Sequence, residues 1–116
     1  MTFESLRTYL SRKPSATEDF PFNPTTLVAR VGNRIFALIM TESDPLRINL
    51  KCDPLKAEFL RDLYPAISPG YHMDKRHWNT LVLDGSIPDR EILAMIDESY
   101  ALVVRGLPKE KRPPAV

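Results

Sequence analysis

The chain predicts a two-layer α+β domain in the order α-β(3)-α-β(2)-α, with a five-stranded antiparallel sheet and helices packed mainly on one face. Three observations predict it. The run Leu46-Arg47-Ile48-Asn49-Leu50-Lys51-Cys52 alternates apolar and polar side chains, as a strand with one buried face does. Gly32-Asn33 separates two apolar runs and suits the positive φ angles of a tight hairpin. Two later segments space their apolar residues as helices do and are bounded by prolines.

Each element follows from its local sequence. Residues 3–13 predict a helix capped by the Thr2 hydroxyl, with Phe3, Leu6 and Leu10 on one face and Pro14 as its stop. Residues 15–25 read as a turn-rich connection, because Pro21 and Pro24 remove ladder donors, and Phe20 and Phe22 are expected to tuck this loop against the domain. Strands are expected over 26–31, 34–41 and 46–52, the last with Arg47, Asn49 and Lys51 on a polar, positively biased open face. Asp53-Pro54 opens a second helix with Leu55, Phe59, Leu60, Leu63 and Tyr64 as its apolar face and Arg61 outside. A short strand near 71–73, a turn at 74–76 and a strand over 77–83 follow. The last helix runs from near Pro88 to Arg105, with Gly106 placed as its C-cap.

Composition bounds the class. At 116 residues the chain is read as one domain, with 109–116 as a flexible tail. A net charge of +1 supplies no global attraction to nucleic acid, so any such attraction has to come from local clustering. One cysteine, Cys52, allows no internal disulfide and suits a reducing compartment. No apolar run is long enough to span a bilayer. A cytoplasmic, monomeric protein without membrane contact is expected.

The chemistry-bearing residues concentrate in Pro69-Gly70-Tyr71-His72-Met73-Asp74-Lys75-Arg76-His77-Trp78-Asn79-Thr80, which holds both histidines and the only tryptophan. Paired metal-ligand spacings are missing, so neither a metal site nor another cofactor is expected. Cys52 shares parity with apolar residues, no nucleophile elbow occurs, and no enzyme activity is expected. His72 or His77 with Asp74 could act only as an acid–base pair. Lys75, Arg76 and His77 offer phosphate-seeking donors, Tyr71 and Trp78 flat rings, and Asn79 an amide. Arg30, Arg47 and Lys51 would extend this patch over the open sheet face. The same residue types also anchor protein interfaces.

This stretch closely resembles the PGYHMNKxHWNT signature of the MmcQ/YjbR family. Glu18-Asp19-Phe20-Pro21-Phe22, Ile35-Phe36-Ala37, Asn49-Leu50-Lys51-Cys52-Asp53-Pro54 and Ser99-Tyr100-Ala101-Leu102-Val103-Val104 also stand where that family has similar runs. Asp74 departs from its usual asparagine, and Asn33-Arg34 from a common Gly-Lys. The resemblance implies a secretion-chaperone-like fold and a double-wing sheet that binds DNA. Carried over residue by residue, it implies contacts from Lys51, Tyr71, His72, Lys75, Arg76, His77, Trp78 and Asn79. DNA is therefore the expected partner, with a protein-binding adaptor using the same surface as the alternative.

Overall fold

The structure, a computed structural model, describes residues 1–70 and 73–114. Its elements are α1 (Phe3–Ser11), β1 (Thr17–Asp19), β2 (Thr26–Val31), β3 (Arg34–Met40), β4 (Arg47–Lys51), α2 (Pro54–Leu63), β5 (Ile67–Pro69), β6 (Trp78–Val82) and α3 (Asp89–Arg105). The strands form one antiparallel sheet in the order β1-β2-β3-β4-β6-β5. The α+β class and three helices match expectation, but the sheet has six strands where five were predicted.

The extra strand is β1, inside the segment read as a turn-rich connection. Its side chains are all exposed and two are acidic, so neither burial alternation nor β-propensity marks it. Tertiary partners hold it instead: Thr17, Glu18 and Asp19 pair with Arg30, Ala29 and Val28. Arg7 grips Glu18 at 2.6 Å, and Arg30 reaches Asp19 at 3.1 Å. The next loop does not tuck in as expected, for Phe20 and Phe22 stay 41 % and 65 % exposed. The fifth strand lies at Ile67–Pro69, upstream of the predicted 71–73, where Tyr71 and His72 fall outside the described residues.

Local rules account for the rest. The Thr2 hydroxyl accepts from the Ser5 amide at 3.1 Å, and the Ser5 hydroxyl accepts from the Thr2 amide at 3.0 Å, a reciprocal cap on α1. Gly32 and Asn33 both take positive φ, 55° and 66°, as the hairpin requires. Gly106 caps α3 in the right-handed region, without the left-handed turn that glycine permits. The segment expected as a free tail forms a 3₁₀ turn at Lys109–Lys111, and Arg112 donates back to the carbonyls of Leu107 and Arg105.

All three helices cover one face, where Leu6, Leu27, Phe36, Ile48, Leu81 and Ile96 form the main core. Phe36 meets Tyr100 of α3 edge-on, with ring centroids 5.2 Å apart. Tyr9 donates to Asp97 at 2.7 Å and ties α1 to α3. Beyond the Ala37–Leu50 pair, the α3 residue Ser99 bridges β3 and β4. Its hydroxyl donates to the Phe36 carbonyl at 2.6 Å and accepts from the Lys51 amide at 2.8 Å.

The opposite face departs from its predicted character. Val28, Leu38, Asn49 and Thr80 lie side by side across β2, β3, β4 and β6. Val28, Leu38 and Trp78 form a second apolar cluster there, joined by Ile35 and Met73. Asn49 and Thr80 are buried together, with the Thr80 hydroxyl donating to Asn49 Oδ1 at 2.6 Å. The centre of the open face is uncharged, half apolar and half buried amide and hydroxyl, and Arg47 and Lys51 stand at the two ends of β4.

Ser99 is fully buried, and an alanine there would strand the buried Phe36 carbonyl and the part-buried Lys51 amide. Ser99→Ala is expected to cost about 1–3 kcal/mol of unfolding free energy, read as a lower urea midpoint at unchanged slope.

Candidate functional site

Residues 73–80 close on Gly70 and on α2. Gly70 donates to the Trp78 carbonyl at 2.8 Å, and a Cβ on Gly70 would sit 2.7 Å from that of Trp78, so only glycine allows this approach. Asp74 organises the turn that follows. Its carboxylate accepts from the Arg76 amide at 3.0 Å and lies 3.0 Å from His77 Nδ1, while its carbonyl accepts from the amides of His77 and Trp78. The Arg76 amide, and next the His77 contact, hold the Asp74 carboxyl below its ordinary pKa of 3.8.

Arg61 of α2 is the second organiser, although its charge suggested a solvated position. Its Nε donates to Asn79 Oδ1 at 2.7 Å, and its Nη2 donates to the carbonyls of Lys75 and, at 3.3 Å, Trp78. Asn79 Nδ2 in turn points to the Ala57 carbonyl, 3.5 Å away. No local pattern announces this clamp; the remaining signal is a polar Asn79 on the strand face that also carries Leu81.

The predicted contacts therefore scatter. Asn79 lies on the helix face at 2 % exposure, and Trp78 on the open face at 9 %, packed against Val28 and Leu38. Neither presents itself to a base as expected. Arg30 is spent on Asp19 and the Asn33 carbonyl. Lys51 pairs with Trp78 across β4 and β6, and Arg47 is exposed at the other end of β4. Lys75 and Arg76 turn instead toward α2, lining a groove with Pro54, Leu55, Glu58 and Arg61. His77 is half-exposed and engaged by Asp74. The Tyr71 and His72 contacts lie outside the described residues. Cys52 is buried, and burial pushes its thiol pKa up, opposite to what a nucleophile needs.

A different surface emerges on α2. Ala57 and Leu60 face the core, so Leu55, Phe59 and Leu63 point outward at 80 %, 53 % and 55 % exposure. They follow at i, i+4 and i+8, a continuous apolar ridge about 12 Å long at the helical rise per residue. All three belong to the apolar face expected of this helix, and of that face only Leu60 is buried.

A family model described as YjbR matches residues 11–102. The chain belongs to the YjbR family. Escherichia coli (strain K12) protein YjbR is 35 % identical over 112 residues, 97 % of this chain and 95 % of the relative. The crystal structure of the Deinococcus radiodurans protein DR2400 superposes with a TM-score of 0.90 at 40 % identity, covering 95 % of this chain and 84 % of that one. A Pseudomonas syringae structure gives 0.76 at 30 % identity, over 88 % and 98 %. Among the described residues of this YjbR-family chain, no group of three or more His, Cys, Asp or Glu could hold a metal ion. None of its described helices is long and apolar enough to cross a membrane.

Two outcomes test the turn. Arg61→Ala is expected to cost about 2 kcal/mol by removing charge-assisted bonds from a part-buried site, and Arg61→Lys should not restore it, since one ammonium cannot span the same acceptors; chemical denaturation measures both. Because the Asp74 carboxyl is depressed, its contribution to the turn is present above 3.8 and lost as pH falls through its lower folded value. The Arg76 amide resonance should therefore titrate with a midpoint under 3.8, and Asp74→Asn should abolish that titration.

Proposed function

We propose that this chain is a binding module without catalysis, and that its partner is another protein held on α2. The observation that carries this is the exposed Leu55-Phe59-Leu63 ridge. Single exposed apolar residues are ordinary, but three in register on one helix form a continuous contact strip with an aromatic at its centre. Glu58 and Asp62 beside the ridge, and Lys75 and Arg76 across the groove, supply the charged rim that orients a docked partner. The reading without catalysis rests on Cys52, which is buried with a raised thiol pKa and so is a poor nucleophile.

Phe59→Glu should leave stability unchanged, since the ring is half in solvent, and should weaken a purified partner by about 100-fold in titration calorimetry. Capture from extract on the full chain would supply that partner. Unaltered affinity in Phe59→Glu would remove α2 from the interface.

DNA binding is the second reading. It is favoured by Lys51, Lys75 and Arg76, which have no carboxylate at ion-pair distance among the described residues. Titration of labelled duplex at several salt concentrations should then show a steep loss of affinity with salt. The Lys75→Ala, Arg76→Ala double variant should flatten the logarithmic slope by about 2. No binding at low salt would sink this reading.

A further inference from the structure

We propose that the open face of the sheet is a binding site for a neutral, aromatic small molecule, a ligand separate from the protein partner of α2. The face carries a cleft of about 470 Å³, within the range of small-molecule sites. Leu38 and Asn49, neighbours on β3 and β4, lie beneath it. Met40 and Thr26, paired on β3 and β2, extend it. Phe22 and Met73 line it from the loops on either side.

The lining chooses the ligand class. Among the described residues none that lines the cleft is charged, so an ionic ligand would lose hydration with no opposite charge to replace it, while Asn23 and Thr26 leave room for a neutral polar group. Two thioethers and a phenyl ring are polarisable partners that favour an aromatic ring. Phe22, 65 % exposed at the mouth, gains most by closing against such a ring. Packing of Met73 and Leu38 against Trp78 makes the far wall part of the second apolar cluster, so the cleft stands on a supported surface.

The test uses the four methionines as reporters in the full chain. With methyl-¹³C methionine and the neutral probe N-phenyl-1-naphthylamine, the Met40 and Met73 methyl signals should shift saturably. Met1, at the exposed terminus, and Met95, buried on the helix face, should not move. Phe22→Asp, an exposed position, should weaken the probe at least about tenfold without altering the fold. Met40→Glu should do the same, and a shift of the remaining Met73 signal reports any residual binding. The proposal fails if Met40 and Met73 stay still, if all four signals move together, or if both substitutions leave the affinity unchanged. It also fails if those two signals shift with protein concentration alone, which would make a second copy of the chain the occupant. An α2 surface that binds no protein would leave these outcomes unaffected.

Discussion

The contact between Arg61 and Asn79 decides how the helix layer meets the sheet. Asn79 stands on the helix face of β6 beside Leu81, where a bare amide would be costly. Arg61 answers it from above, and Ala57 brings both a small side chain and a carbonyl. Once residues 57, 60 and 61 are held inward, the 100° step of a helix leaves 55, 59 and 63 outward. The exposed ridge is thus a consequence of how one polar residue on a strand is satisfied. The same guanidinium holds the Lys75 and Trp78 carbonyls, so the basic turn leans toward α2 and away from the open sheet face.

The described residues of the family signature do mostly structural work in this chain. Gly70 makes room for Trp78, Asp74 builds the turn, Trp78 fills the second apolar cluster, and Asn79 and Thr80 are bonded inside. The His77 carbonyl accepts from the Cys52 amide at 2.7 Å and carries the β4–β6 pairing past its last residues. Among the described residues, the cationic rim of Lys75 and Arg76, the cleft beside Met73 and the α2 ridge stay exposed. A segment dense in versatile side chains need not be the surface that meets a partner.

The open face shows why alternation alone misled. In β4 the polar residues Arg47, Asn49 and Lys51 share one side, and read in isolation they describe a wetted surface. Asn49, however, lies between Leu38 and Thr80, and its oxygen takes the Thr80 hydroxyl. Phe22 and Met73 then line the cleft beside it. A polar residue in a central strand can be buried when its cross-strand neighbour completes the hydrogen bond, and that neighbour is 31 residues away in the chain.

By itself the sequence determined the α+β class, the three helices, the Gly32-Asn33 hairpin, the paired central strands and the family. Each of these rests on short-range rules of capping, turn conformation and periodicity, or on a signature contained in twelve consecutive residues. Only the tertiary structure decided that residues 17–19 join the sheet, that Arg61 points inward and that Leu55, Phe59 and Leu63 point out. It also placed Trp78 and Asn79 on opposite faces and both out of reach of solvent. These outcomes depend on partners distant in the chain: Arg30 for β1, Asn79 for α2, Val28 and Leu38 for Trp78. Local periodicity says which residues share a side of a helix or strand; which side is buried is settled by what packs against it.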